Sequence, residues 1–138
     1  MDVSLTQASE ALKAASQAEA RRMGHRYVGT EHVLLAVSRV SGRVQKVLAK
    51  LDLDPQDLQN QLNASVLSSG TKKKEEAIPF SPKALQTFEQ ADKEAEKLGA
   101  TAAGPEHVLL ALVEDEEGVA ARIMEVFAID YASIHRFM

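Results

Sequence analysis

The chain has 138 residues, 16 Lys+Arg against 20 Asp+Glu and hence a formal net charge of −4, and its 45% apolar content is that of an ordinary globular protein, not of a disordered one. The absence of Cys excludes a disulfide framework, a thiol nucleophile, an iron–sulfur cluster and a zinc site built on thiolates. No apolar run approaches the ~20 residues of a membrane span, Met1-Asp2-Val3-Ser4 does not open a signal peptide, and no basic stripe invites nucleic acid, so a cytoplasmic protein that binds neither membrane nor nucleic acid is expected.

Aromatic residues make up only 4% and Trp is absent, which favours closely packed helices over a β sandwich. Leu5, Ala8, Leu12, Ala15 and Ala18 recur at helical spacing and predict a first helix from about Thr6 to Met23, which Gly24 ends in a left-handed conformation. A short apolar helix starts at Thr30 or Glu31. The third, near Gly42 to Leu51, lines up Val44, Val47, Leu48 and Leu51, and the fourth, opened by Asp54-Pro55, carries Leu58, Leu62 and Val66. Ser68 to Pro79 contains Lys72-Lys73-Lys74-Glu75-Glu76, has no apolar periodicity until Ile78, and reads as an exposed linker. Helices from Ser81 to Leu98, from Pro105, from Gly118 to Phe127 and from Asp130 to Phe137 then repeat the first four.

The repetition is explicit in the residues. Gly29-Thr30-Glu31-His32-Val33-Leu34-Leu35-Ala36 returns 75 positions later as Gly104-Pro105-Glu106-His107-Val108-Leu109-Leu110-Ala111, identical at seven of eight places. Outside the motif Thr6 matches Ser81, Ala20 matches Ala95 and Gly24 matches Gly99; further on the offset becomes 76, so that Gly42 meets Gly118 and Asp54 meets Asp130. The expected fold is therefore all-α, an eight-helix bundle of two pseudo-twofold-related four-helix repeats, with residues 1–67 and 80–138 as the copies and 68–79 between them. Leu34 and Leu109 belong to its core.

Little catalytic chemistry is visible. There is no G-x-x-x-x-G-K-[ST] phosphate loop, no G-x-S-x-G elbow and no H-E-x-x-H. A zinc site from His32, His107 and nearby glutamates is conceivable, as is a small hydrolase using the Glu-His pairs, but first-turn histidines more commonly bond local backbone. Glu31 and Glu106 admit two readings: a carboxylate in the first turn opposes the helix dipole and accepts an orphan N–H, or it belongs to a ligand site. In the second case the helix N-terminus suits an anion, the carboxylate a guanidinium, and a hydroxyl from Thr6 or Ser81 adds a hydrogen bond, so a zwitterionic side chain fits.

The motif Gly-Thr-Glu-His-Val-Leu-Leu, preceded by Ala20 to Val28 and repeated after Ile78-Pro79-Phe80-Ser81-Pro82-Lys83-Ala84, closely resembles the double repeat of the Clp N-terminal domain, most like the ClpC branch of the Hsp100 unfoldases, with ClpA next. The resemblance implies a non-catalytic recognition domain without metal or cofactor, seated on AAA+ ATPase modules that serve a Clp protease core, and receiving protein substrates and adaptor proteins. It further implies binding of phosphorylated arginine by Glu31 with Thr6 and by Glu106 with Ser81. The alternative is a stand-alone accessory protein that docks on a Clp ATPase or protease complex; the isolated domain is expected to be a monomer. Departures from the family pattern are Pro105 for a usual Thr, Ser81 for a usual Thr, Ala100-Thr101-Ala102-Ala103 for a His-Asn-Tyr-Ile-like stretch, and Arg39-Val40-Ser41-Gly42 for a Glu-Gly-Glu-Gly-like turn.

Overall fold

Helix boundaries in the two copies are set by matching short-range chemistry. The computed structural model describes residues 3–40, 43–65, 78–100, 103–116 and 118–138, the side chains of 3–9, 43, 64 and 65 excepted. Within them run α1 (Val3–Arg22), α2 (Thr30–Ser38), α3 (Arg43–Lys50), α4 (Pro55–Ser65), α5 (Pro82–Lys97), α6 (Pro105–Glu114), α7 (Val119–Val126) and α8 (Tyr131–Arg136). Gly24 and Gly99 adopt φ of 75° and 74°, a region glycine enters without a Cβ clash. The N–H of the next residue then reaches back five positions, His25 to Ala20 and Ala100 to Ala95, at 2.9 Å in each copy. At the start of α5, Ser81 Oγ accepts the N–H of Ala84 at 3.1 Å and Pro82 occupies the first turn. No proline fixes the matching start of α1, which runs back to Val3; Thr6 therefore lies inside the helix and does not open it.

The core is organised around α2 and α6. Every residue of α2 is buried, as is His107 through Val113 of α6, and a helix apolar all round must be covered all round. Neighbours from both copies do this: α1, α3, α4 and α7 pack on α2, and α5, α3, α7 and α8 pack on α6, while α2 and α6 touch each other. Leu34 and Leu109 are fully buried, as the pattern predicts.

Two polar ties cross between the copies. Thr30 Oγ1 accepts the N–H of Ala120 at 3.2 Å and so caps α7, whose own N-cap residue, Gly118, has no side chain to offer. Such a cap is worth about 1 kcal/mol, and Pro105, in the matching position, has no hydroxyl to do the same for α3. The second tie begins at Ile78, which is fully buried although the linker was expected to be exposed through Pro79; an isoleucine side chain gains about 1.5–3 kcal/mol by leaving water. Its carbonyl accepts from Gln17 Nε2 at 3.0 Å. Val28 and Phe80 then form a parallel bridge in which Val28 N–H donates to the Pro79 carbonyl and Ser81 N–H to the Val28 carbonyl, both at 2.8 Å. The lysine run Lys72 to Lys74 lies outside the described residues.

One matched pair of buried acids has diverged. Glu19, late in α1, is bonded by Arg22 and, at 3.0 Å, by Arg39. Its counterpart Glu94 keeps a cation, Lys97 at 3.2 Å, but the place of Arg39 is taken by Glu114, and Tyr131 OH donates to Glu94 at 2.6 Å. Burial pushes the Glu94 carboxyl up, yet hydrogen bonds from Tyr131, Glu114, Lys97 and Gln90 outweigh it and hold Glu94 below the usual carboxylate range. The hydrogen bond to Glu94 raises Glu114, with desolvation and the Glu94 charge adding to it; Tyr131 is pushed up to about 12, first by its bond to Glu94. A lowered folded-state pKa contributes stability above the ordinary value that is lost as pH falls through the lowered one. A raised one contributes stability below the ordinary value that is lost as pH rises through the raised one. Glu114→Gln is expected to remove that second loss, flattening the decline in urea midpoint as pH rises above the ordinary glutamate range. An unchanged slope would mean that Glu94 does not raise Glu114.

Candidate functional site

At the head of α2 the backbone is held by an imidazole. Gly29, extended at φ −101° and ψ 179°, donates its N–H to His32 Nδ1 at 2.8 Å, so His32 fills the role that Glu or Gln plays in a capping box. Because Nδ1 accepts, neutral His32 carries its proton on Nε2, which faces His25 Nδ1 at 2.5 Å. Both rings are buried, and burial, with His25 alongside, pushes His32 down to about 3. Gly104 N–H meets His107 Nδ1 at the same 2.8 Å in the second copy. The expected bonding of first-turn histidines to local backbone is thus observed. With both nitrogens of His32 engaged, that ring has no lone pair to offer a metal or a proton-transfer step. Among the described residues, no three His, Asp or Glu side chains converge to hold a metal ion.

The glutamates fold back over the glycines. A Cβ on Gly29 would collide with Glu31 Oε1, and one on Gly104 with Glu106 Oε1, so a side chain at either place would push the carboxylate aside. Glu31 accepts its own backbone N–H, as the capping reading expects, and is only 2% exposed; burial raises its pKa, partly offset by that N–H and by His25. Glu106 is half-buried. Burial, and then the Glu31 charge, raise the Tyr27 hydroxyl.

The predicted hydroxyl partners are placed differently. His32 touches His25, just beyond the end of α1, so Glu31 lies at the C-terminal end of that helix. Thr6 is near the opposite end, about 24 Å away at 1.5 Å per residue; its side chain lies outside the described residues. In the second copy Lys83 bonds Asp115 at 2.8 Å, joining the start of α5 to the end of α6, whereas Glu106 is at the start of α6, about 13 Å further along. Neither within-copy pair, Glu31 with Thr6 or Glu106 with Ser81, is therefore brought together. Instead the parallel bridge sets Ser81 against Val28, next to Gly29 and the Glu31 turn. Sequence matching identifies Thr6 and Ser81 as equivalents, but equivalents under a twofold need not face the motif of their own copy. Two clefts of about 450 Å³ lie elsewhere, one around Val113, Ile129 and Tyr131, the other around Leu48, Leu53 and Pro55.

Residues 4–127 match the family described as the Clp repeat (R) N-terminal domain. The chain belongs to this family. Among the relatives of this Clp N-domain, the ATP-dependent Clp protease ATP-binding subunit ClpA homolog of Porphyra purpurea is 38% identical over 120 residues, 86% of this chain and 14% of the relative. The chloroplastic chaperone protein ClpC of Pisum sativum is 37% identical over 120 residues, 86% of this chain and 13% of the relative. The Clp N-domain thus spans about a seventh of the curated relatives it matches. In three dimensions it is similar to the N-terminal domain of the chaperone ClpD from Arabidopsis thaliana, with a TM-score of 0.73, 20% identity, and coverage of 96% of this chain and 93% of that one. The all-helical fold and the family expected from the repeated motif are therefore established. Among the described residues no helix is long and apolar enough to cross a membrane.

Proposed function

We propose that this Clp N-domain is a non-catalytic recognition module that captures protein substrates and adaptor proteins for an ATP-driven Clp unfoldase, with phosphorylated arginine as the side chain received at its two glutamate turns. The supporting observation is the paired helix start, where a carboxylate lies over a glycine beside N–H groups and the positive end of the helix dipole. The carboxylate suits the guanidinium and the helix start suits the phosphoryl group. Ser81 belongs with Glu31 in this reading, because it is bonded beside Val28, and Thr6 is assigned to Glu106 only as the sequence equivalent of Ser81. The relatives' names, ATP-binding subunit of Clp protease and chaperone ClpC, support an AAA+ ring and a protease core as partners, in the cytoplasm or, as for the pea protein, the chloroplast.

The test is calorimetric titration with phosphoarginine, with arginine and phosphoserine as controls. Binding selective for phosphoarginine is expected, and Glu106→Gln is expected to weaken its site by about 1.5–3 kcal/mol, the worth of a charge-assisted hydrogen bond, with helicity unchanged. Absence of binding would return both glutamates to helix capping.

A further inference from the structure

The two glutamates are not equally buried, and the residues before each glycine differ in sequence as well. The first copy has His25-Arg26-Tyr27-Val28 where the second has Ala100-Thr101-Ala102-Ala103. Tyr27 Cε2 lies 3.1 Å from where a Gly29 Cβ would stand, the spot over which the Glu31 carboxylate is folded. The ring rests on the buried imidazoles, stacked on His25 at 6.4 Å with an interplanar angle of 13° and edge-on to His32 at 6.1 Å. Those imidazoles are fixed by each other and by the Gly29 N–H. Tyr27 itself is 42% exposed, and its side-chain contacts among the described residues are those of the ring.

We propose that Tyr27 is an access-determining residue: its ring roofs the Glu31 carboxylate, so that a ligand meets Glu106 first and reaches Glu31 only when the ring swings outward. The identity of the ligand rests on the function proposed above; the roof itself does not. The elevated pKa of Glu31 agrees with a carboxylate shut away from water. A roof closed about nine-tenths of the time lowers apparent affinity about tenfold without altering any contact in the bound state.

Carbodiimide-driven amide labelling of the folded chain, read peptide by peptide by mass spectrometry, tests the roof without any ligand. Glu106 is expected to label fast and Glu31 slowly. Tyr27→Ala should bring Glu31 to the Glu106 rate, whereas Tyr27→Phe, which keeps the ring, should leave it slow. Fully buried Glu94 reports on folding: a variant that has lost its fold labels there too. Equal labelling of Glu31 and Glu106 in the unaltered chain, or slow labelling of Glu31 in a folded Tyr27→Ala variant, would overturn the roof. Phosphoarginine titration in a Glu106→Gln background is the second arm, where Tyr27→Ala should tighten binding about tenfold. Weaker binding there would make the ring a ligand contact and overturn the roof. Labelling as expected with no phosphoarginine bound by any variant would uphold the roof and reject the ligand.

Discussion

Leu109→Asp is expected to cost the domain most or all of its cooperative fold. Leu109 is fully buried in α6, a helix covered by elements of both copies, so no short side-chain movement brings a carboxylate to water. Losing the leucine costs about 2–5 kcal/mol in transfer and cavity terms, and a buried polar group without a partner adds about 1–3 kcal/mol even when protonated. Native domains have about 5–15 kcal/mol in hand, so a loss of about 3–8 kcal/mol should lower the urea midpoint by at least about a fifth and, at the lower stabilities, abolish the fold, seen as lost helix in far-ultraviolet dichroism. Leu34→Asp, at the matching place in α2, should behave alike, and Leu109→Met should cost under about 1.5 kcal/mol. A helical Leu109→Asp variant with an unchanged midpoint would remove Leu109 from the core.

His32→Leu is the next largest expected loss. The substitution takes the acceptor from Gly29 N–H and the donor from His25 Nδ1, both inside the protein. Each buried group left without a partner costs about 1–3 kcal/mol, so a total of about 2–6 kcal/mol is expected in urea unfolding. His25→Leu added to His32→Leu should cost less than the sum of the two single changes, because it removes one of the stranded groups. Strictly additive losses would show that the two rings do not depend on each other.

Much of this molecule was legible as sequence, because its information is local and stated twice. Gly24 and Gly99, Ser81-Pro82 and the Val-Leu-Leu runs fix helix ends and core faces from neighbouring residues alone. What could not be read was which parts face each other. An offset of 75 declares Thr6 and Ser81 equivalent, but the parallel bridge that brings Ser81 to Val28 joins residues far apart in sequence through backbone groups that every residue carries. The sequence places Thr30 or Glu31 first in a helix, while the role of Thr30 as the cap of α7 depends on a helix 90 residues away. The loss of Tyr27's counterpart, visible as Ala102, registered as a departure from a pattern; its meaning needed the ring's position over Gly29.

The parallel bridge also bears on how such a domain could have arisen. It draws the wall beside the first copy's glutamate turn from the opening of the second copy, and a single repeat folding alone would lack that wall. An ancestor with one repeat would have lacked that wall unless a second copy supplied the segment, as in a dimer. Fusion of two genes would then have made the pairing permanent at any concentration and freed the halves to drift apart, the condition under which the two glutamate turns could come to differ.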